Sequence, residues 1–418
     1  MQEFVWENDF IPFCQVQRMN AVNISQPAAK MSLNTEAGRM KICLLGNAAS
    51  IHIQRWAAYF VQKGYELHII SLSPGAVEGA KVHRVSWWPP VKQIGYLAAL
   101  PRIRLLVRQI SPDVLHAHYA VSYGVLGALA GFRPLVIGAW GSDILVIPGS
   151  SKVRWAVLLH ALFRADLITS LADHITRVLV ERGVPPWKIK TIPFGVDTQL
   201  FCPLSNSVRS FDIICTRNFE TVYDVGTFLR ALPAIIARYP NFTCLLLGDG
   251  PLRDSLKRLA AELGVEDNLT WLGWLPPQEL AQWLRQTKVY VSASLSDGTS
   301  TALTEAMASG CFPVVSDIEA NRPWIEHGSS GFLFPPADPG ALADCVLEAL
   351  KSAPLRESAL IVNRRKVERD ANWHTIMGSV EELYQRLVTE YKQLLLGKVP
   401  PAKRASNVND HQGDSLLF

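Results

Sequence analysis

The stretch KICLLGNAASIHIQRWAAYFVQKGYELHIISL, residues 41–72, decides the fold class of this chain. It reads as a short apolar strand, a turn at Gly46, an amphipathic helix that ends at Gly64, and a second apolar strand. Two strands joined by a helix in this way lie parallel in one sheet. The stretch therefore predicts the first βαβ unit of a doubly wound α/β fold.

The same alternation continues along the chain and is interrupted once. Further strands are predicted at residues 113–117, 135–139, 167–170 and 189–192, with helix-length segments such as 152–165 between them. The turn-rich segment CPLSNSVRS, residues 202–210, breaks the pattern, and strands resume at residues 212–215, 242–247, 269–272, 289–292 and 312–315. The sequence therefore predicts two doubly wound, Rossmann-like domains that face each other across a cleft.

These boundaries divide the chain into five parts. The first domain spans residues 40–200 and the second spans 211–376. A last helix covers 377–396, and its return to the first domain stays an open alternative. Residues 1–39 form an extension that we expect to be poorly ordered, which leaves Met1 and Met40 both open as the start of translation. Residues 397–418 have too little apolar content to pack and are expected to be a disordered tail.

Composition excludes several classes of function. A net charge of +4 over 418 residues is too small to predict nucleic-acid binding. The seven cysteines are scattered and never two residues apart, which argues against a disulfide framework and against a zinc site, and which favours a reducing cytoplasm. The first 39 residues lack the continuous apolar segment of a secretory signal.

Membrane contact depends on three segments. Residues 114–132 carry little charge, but histidines and glycines interrupt them, so we predict a buried strand and helix and no membrane span. Residues 95–109 and 151–164 mix apolar side chains with arginines and lysines, as helices in a lipid interface do. We favour helices that pack on the sheet with solvated basic residues, and we keep peripheral contact with the inner face of a membrane as the alternative.

The segment SDGTSTALTEAMASG, residues 296–310, is the strongest candidate site. Gly298, Thr299 and Ser300 lie between a predicted strand and helix, where free backbone N–H groups favour a phosphate. Asp297 lies in the loop and Glu305 about one turn into the helix, so both carboxylates reach the same cleft. The alternative is a loop cap for Asp297 and a solvated helix acid for Glu305.

Other strand ends carry further candidates. Gly248 lies in LLLGDGPLRDSLKRLA, Arg217 in ICTRNFETVYD and His118 in VLHAHYAVSYG. The segments IPFGVDTQLF, residues 192–201, and AWGSDI, residues 139–144, also follow predicted strands. Taken in order, these segments resemble family 4 retaining glycosyltransferases, the group 1 enzymes of GT-B fold. The resemblance extends over residues 40–396 and includes the two acids separated by seven residues.

The resemblance implies a reaction and a set of roles. The reaction is transfer of a sugar, with retained anomeric configuration, from a nucleotide-diphosphate sugar to a saccharide, lipid-linked or other hydroxyl acceptor in polysaccharide or glycoconjugate biosynthesis. The implied contacts are Glu305 on the nucleotide ribose, Asp297 on sugar hydroxyls, His118 on the donor sugar, Arg217 on the diphosphate, Gly248 at the base pocket, and Gly46 and Asn47 near the phosphates. His116 and His118 could exchange roles.

Several positions depart from the pattern of that family. The lysine expected a few residues after Arg217 is missing, Asp297 stands in place of a glutamate, and Trp140 and Phe194 replace a histidine and a polar residue. Two alternatives therefore stay open, a sugar-nucleotide epimerase on the same scaffold and a non-catalytic nucleotide-sugar-binding subunit. No Asp-x-Asp occurs in the chain, so we expect neither a metal nor another cofactor.

Overall fold

The computed structural model describes residues 40–86, 92–204 and 209–397. Seven parallel strands form the first sheet, in the spatial order β3-β2-β1-β4-β5-β6-β7. They are β1 Lys41–Leu45, β2 Glu66–Ser71, β3 Lys81–Arg84, β4 Val114–His118, β5 Leu135–Ala139, β6 Leu167–Ser170 and β7 Ile189–Thr191. Six parallel strands form the second, in the order β10-β9-β8-β11-β12-β13. They are β8 Phe211–Cys215, β9 Cys244–Leu247, β10 Leu269–Gly273, β11 Thr287–Ser292, β12 Phe312–Ser316 and β13 Phe332–Phe334.

Helices connect the parallel strands and cover both sheets. Those that follow strands of the first sheet are α1 Ile51–Gln62, α2 Lys92–Ile110, α3 Val125–Ala130, α4 Ser142–Leu145, α5 Lys152–Arg164 and α6 Asp173–Glu181. Those that follow strands of the second are α7 Val225–Ile236, α8 Arg253–Glu262, α9 Pro277–Arg285, α10 Thr301–Ala308, α11 Pro339–Lys351 and α12 Ala353–Asp370. The helix α13 Trp373–Leu395 comes last. Side chains cap several of them, because the first N–H groups of a helix have no partner within it.

The last helix packs on the first sheet. Asn372 begins it by accepting hydrogen bonds from the backbone N–H groups of His374 and Thr375. Its apolar face, including Met377, Val380 and Tyr384, is buried in the core that surrounds the first sheet. The chain therefore runs from the first sheet to the second before β8 and returns after α12.

The predicted fold class is confirmed, since both sheets are parallel and covered by helices. Residues 114–132 form β4, a π-helical turn at Ala120–Gly124 and α3, as a buried strand and helix should. Sequence reasoning missed β3 and β13. The first is the polar tetrapeptide KVHR at a sheet edge and the second has three residues, so neither carries a clear alternating pattern.

Some sequence-based expectations fall outside the described residues. These are the extension 1–39, the tail beyond residue 397 and part of the turn-rich segment 202–210. Among the residues that the structure describes, no helix is both long and apolar enough to cross a membrane.

Candidate active site

Loops at the carboxyl ends of the two sheets meet at two glycines. Gly141 follows β5 and Gly298 follows β11. A Cβ atom on Gly298 would lie 2.2 Å from the carbonyl oxygen of Trp140, and one on Gly141 would lie 2.9 Å from the Cα of Gly298. Any larger residue at either position would separate the loops, so glycine permits this close approach.

Hydrogen bonds join the 297–299 loop to the part of the first domain that follows β6. The Nε2 atom of His174, in α6, lies 3.2 Å from the carbonyl oxygen of Asp297. Thr299 Oγ1 donates to the carbonyl oxygen of Leu171 at 2.7 Å. The domains are therefore closed on each other at this edge, and the closure fixes the backbone of the 297–299 loop.

The cationic group of the second domain is Arg217, just after β8. Its Nη2 lies 2.7 Å from Asp297 Oδ2, and its Nη1 donates to Ser300 Oγ at 3.0 Å. The guanidinium also lies 3.9 Å from the ring centre of Tyr223. Burial lowers the pKa of Arg217, but the attraction of Asp297 and two nearby tyrosines raises it above its ordinary value. The arginine is therefore charged and held on three sides.

Ser300 and Asp297 connect this arginine to the start of α10. Ser300 caps the helix, because its Oγ accepts the N–H of Leu303 at 3.2 Å. Asp297 Oδ1 accepts the N–H of Gly298 at 2.8 Å. The predicted loop residues and Arg217 thus converge at the N-terminal end of α10, where the helix dipole favours an anion.

The Gly-Asp-Gly turn after β9 supports Arg217 from behind. Gly248 has a φ of 143°, and a Cβ on it would lie 2.3 Å from the carbonyl oxygen of Arg217. Gly250, with a φ of 156°, packs in the same way on Phe219. Both conformations favour glycine, and the turn thereby fixes the backbone that carries Arg217.

Glu305 lies one turn into α10 and is half-buried. Burial raises the pKa of its carboxyl from the ordinary value of 4.5 to about 7, and the charge of Arg55 opposes this shift. Arg55 belongs to α1 of the first domain, donates to the carbonyl oxygen of Gly195 at 2.9 Å and lies 4.4 Å from the ring centre of Trp373. A cation of the first domain thus faces the acid of the second.

His118 ends β4 and is buried among rings. It stacks on His116 at 3.9 Å between ring centres and meets Trp56 and Trp140 edge-on at 5.2 and 5.6 Å. Within the described part of the chain, neither ring nitrogen of His118 has a hydrogen-bond partner. Burial and the nearby His52 lower its pKa to about 3, so the ring is neutral at physiological pH.

The geometry separates the two neighbouring histidines. His116 Nδ1 is bonded to the hydroxyl of Tyr384 in the last helix, and its Nε2 lies 3.4 Å from Thr169 Oγ1. Unpartnered buried nitrogens are costly, so those of His118 point to a missing hydrogen-bonding group. His118 is therefore the better placed of the two to contact a ligand.

The loop Gly46-Asn47 lies beside His118. A Cβ on Gly46 would lie 2.8 Å from Ile53 and 3.5 Å from the Cβ of His118. Asn47 Oδ1 accepts the N–H of Ala49 at 3.0 Å and so shapes the turn before α1. The first-domain candidates thus share one end of their sheet, as those of the second domain do.

Trp140 and Phe194, the two aromatic residues that differ from the family pattern, form one surface with His52. The ring of His52 stacks on Phe194 at 4.2 Å, and Trp140 meets both edge-on at 5.5 and 5.2 Å. Burial lowers the pKa of His52 to about 4. We call His52, Trp140 and Phe194 the aromatic wall. It lines the first-domain side of the site with rings that carry no charge.

A buried carboxylate holds the loop that bears Trp140. Asp143 accepts the N–H groups of Ala120, Trp140 and Gly141 at 2.7, 2.9 and 2.8 Å. Burial raises its pKa to about 6, although these three hydrogen bonds favour the ionised form. The Asp of the AWGSDI segment therefore acts within the first domain, on two loops that approach the second.

Sequence reasoning missed three residues of this site. Arg55 interrupts the apolar segment IHIQRWAAYF after the Gly46 turn, which is a usable but weak signal. The only sequence signal at Tyr223 is that its segment lacks the expected lysine. His174 carries no sequence signal, because the residue that it contacts, Asp297, lies in the other domain.

Comparisons with known proteins show the family of this chain. A family model described as glycosyl transferase 4-like matches residues 41–172, and one described as glycosyl transferases group 1 matches residues 210–352. The amylovoran biosynthesis glycosyltransferase AmsK of Erwinia amylovora is 27% identical over 286 residues, which cover 64% of this chain and 70% of that protein. N-acetyl-alpha-D-glucosaminyl L-malate synthase of Bacillus anthracis is 24% identical over 310 residues, 71% of this chain and 80% of that one.

A solved structure shares the fold. Anabaena HepE in complex with UDP-glucose is 20% identical, with a TM-score of 0.72 over 84% of this chain and all of that one. Two Rossmann-like domains with parallel sheets give this chain the GT-B fold. This chain belongs to the group 1, family 4 glycosyltransferases, whose models match more than half of its length.

Proposed function

We propose that this glycosyltransferase moves a sugar from a nucleotide-diphosphate donor to a hydroxyl acceptor with retention of configuration. The acceptor class is a saccharide, a lipid-linked sugar or another hydroxyl compound in polysaccharide or glycoconjugate biosynthesis. Relatives support this class, since AmsK is named for amylovoran biosynthesis and HepE is described in complex with UDP-glucose.

One observation carries the proposal. A buried guanidinium, Arg217, lies beside the N-terminal end of α10, where it donates to the capping Ser300. A leaving diphosphate gains negative charge in the transition state, and preorganised donors at that position lower the barrier. Glu305, further along α10, would hold the nucleotide ribose, and the base would lie at the Gly248 turn.

The positions of the carboxylates bear on how configuration would be retained. A covalent glycosyl-enzyme needs a carboxylate nucleophile at the anomeric carbon, whereas the role proposed for Asp297 is contact with the sugar hydroxyls. Burial keeps Glu305 partly protonated near neutral pH, which makes it a poor nucleophile and a better hydrogen-bonding group. Attack on the face from which the diphosphate leaves therefore suits these residues better than a double displacement.

We also propose that the reaction needs no metal. The sequence contains no Asp-x-Asp to hold a divalent cation on the diphosphate. Arg217 and the N–H groups at Gly298–Ser300 would balance the charge in its place. Activity that survives EDTA would support this proposal, and activity restored only by a divalent cation would contradict it.

Thermal unfolding with a panel of nucleotide sugars tests the donor. A donor that binds the folded state raises the midpoint temperature in a concentration-dependent way. Arg217→Ala should abolish the shift, whereas Arg238→Ala, an exposed arginine of the same domain, should retain it. Retention of the shift in Arg217→Ala would contradict the proposed donor site.

A non-catalytic binding subunit is the second candidate. The observation that favours it is that the carboxylate of Asp297 already neutralises the one cation described at the diphosphate position. Binding of a donor without turnover on any acceptor would select this candidate. Conversion of the donor alone to a new sugar nucleotide would instead select an epimerase.

The charge of the first domain supports peripheral contact with an anionic membrane, which we propose together with a cytoplasmic location. Residues 79–165 contain ten lysines and arginines but two acids, Asp113 and Asp143. Asp143 is buried, and Asp113 is paired with Lys392. The basic excess of the chain is therefore concentrated in this segment, and anionic lipid attracts such a surface.

Two helices of that segment expose apolar side chains beside the basic ones. Both α2 and α5 pack against α3 and lie on one side of the sheet. Val153, Val157 and Phe163 of α5 are exposed, as are Leu97 and Leu105 of α2. Exposed apolar residues flanked by arginines suit the interface between lipid head groups and acyl chains.

Vesicle sedimentation tests this surface. Wild-type protein should sediment with vesicles that contain phosphatidylglycerol and less with purely zwitterionic ones, and salt should weaken binding. A Val153→Ser, Val157→Ser, Phe163→Ser variant should lose binding. Ile361→Ser with Val362→Ser removes equally exposed side chains of α12 and should not. Equal sedimentation of both variants would contradict the assigned surface.

A further inference from the structure

The carboxylate of Asp297 lies where a phosphate would bind. Its Oδ2 accepts from Arg217 Nη2 at 2.7 Å, and its Oδ1 accepts from the N–H of Gly298 at 2.8 Å. A guanidinium and a backbone N–H next to a helix N-terminus are the donors that phosphate oxygens prefer. One acidic side chain therefore occupies both of the strongest donors of the proposed diphosphate site.

The local charge makes this occupancy consequential. In the described part of the chain, Asp297 forms an ion pair with Arg217, and both side chains are largely buried. The lysine expected a few residues after Arg217, which would supply a second cation, is absent. In the same segment, Tyr223 lies against the guanidinium of Arg217. A diphosphate that approached Arg217 with Asp297 in place would meet a negative charge at contact distance, so the two anions compete for the guanidinium.

We propose that the donor diphosphate displaces Asp297 from Arg217 and Gly298, and that the released carboxylate then turns to the hydroxyls of the donor sugar. This inference rests on the proposed function of Arg217 as the diphosphate ligand. It is an exchange of hydrogen bonds in which no covalent bond changes. Asp297 orients the sugar only after the diphosphate has arrived, which links sugar positioning to donor binding.

The contacts of Arg217 explain why the aspartate moves and the arginine stays. The guanidinium is also bonded to Ser300 Oγ at 3.0 Å and lies 3.9 Å from the ring centre of Tyr223, and neither contact involves the carboxylate. Asp297 lies in a loop and has a short side chain with two rotatable bonds. Tyr223 is thus a positioning residue that keeps the plane of the guanidinium fixed during the exchange.

Titration calorimetry with pyrophosphate, UDP, GDP and ADP tests the exchange. Asp297→Asn and Asp297→Ala remove the competing charge and should bind the diphosphate about 3- to 10-fold more tightly than wild type. The same variants should lose sugar transfer. Glu348→Gln, which breaks an exposed pair with Lys351 near the end of α11, should leave affinity unchanged. Equal or weaker binding in both Asp297 variants would overturn the exchange.

Two further variants separate the inference from the function on which it rests. If Arg217→Ala binds pyrophosphate as wild type does, the proposed function of Arg217 is wrong. If Arg217→Ala loses binding while the Asp297 variants gain nothing, only the exchange is wrong. Tyr223→Leu should raise the KM for the donor several-fold with a smaller change in kcat, and Tyr223→Phe should behave as wild type. An unchanged KM in Tyr223→Leu would show that Tyr223 does not position the guanidinium of Arg217. Thermal unfolding of each variant checks that it is folded.

Discussion

The two sides of the cleft are built from opposite chemistry. Neutral rings line most of the first-domain side, which has Arg55 as its cation, and burial holds the pKa of His118 near 3 and that of His52 near 4. The second-domain side is charged, with Arg217 paired to Asp297 beside the start of α10. Rings suit the faces of sugars and other partly apolar groups, whereas a guanidinium suits phosphate. The difference predicts that donor and acceptor recognition can be altered separately.

The charged side should give the largest effect. Glu305→Ala removes the carboxyl that is proposed to hold the ribose, and we expect kcat/KM to fall by about 100-fold or more. Steady-state transfer from the donor identified by thermal shift measures this. The control is Glu262→Ala, an exposed acid at the end of α8. Full activity in Glu305→Ala would show that Glu305 does not hold the ribose.

His118 connects the two sides and should come next. His118→Ala should lower kcat/KM by about 10- to 100-fold, since a positioned hydrogen-bonding group would be lost. Because the pKa of His118 is near 3, its ring should not titrate between pH 6 and 8, and the loss should be uniform over that range. His116→Ala should instead lower the unfolding temperature through loss of the Tyr384 bond. The opposite pattern would exchange the roles of the two histidines.

The aromatic wall should affect the acceptor more than the donor. Trp140→Ala or Phe194→Ala should raise the KM for the acceptor about 10-fold with little change for the donor, because stacking area is lost on one side only. Trp140→Phe should recover most of the loss. Equal effects on both substrates would indicate that the sides are not separable.

The smallest effect concerns stability against pH. Glu305 has a folded-state pKa of about 7, above its ordinary 4.5, so the folded state binds the proton more tightly than the unfolded state. The contribution of this carboxyl to the free energy of unfolding is therefore fully present below pH 4.5 and is lost as the pH rises through 7. Glu305→Gln should therefore raise the unfolding temperature by about 1–2 °C at pH 8.5 relative to wild type and not at pH 4.5. An equal shift of the unfolding temperature at both pH values would show that the effect does not come from ionisation of Glu305.

The sequence predicted most strands of this fold because buried parallel strands are short apolar runs between helices. β5 and β6 lie at the predicted residues, and β4 is offset by one residue. The last helix begins at Trp373, four residues before the predicted start, because Asn372 supplies the cap. The edge strand β3 was missed because it is polar and poorly buried, and β13 was missed because three residues are too short for a pattern.

The candidate site was predictable where residues share a loop. Gly298, Thr299 and Ser300 could be placed at a helix start from the order of residue types alone. Arg55, Tyr223 and His174 could not, because each acquires its role from a residue that is distant in sequence. His174 contacts Asp297, 123 positions away and in the other domain.

By itself, the sequence determined the fold class, the strand-end loops that carry the site and the presence of both acids, because apolar periodicity and turn residues are local properties. Only the tertiary structure decided that Asp297 binds Arg217, that Arg55 faces Glu305 and that Trp140 and Phe194 form one surface with His52. Those pairings depend on how two separate cores bring their loops together. Distances of a few ångströms across a cleft are fixed by packing and leave no trace in residue order.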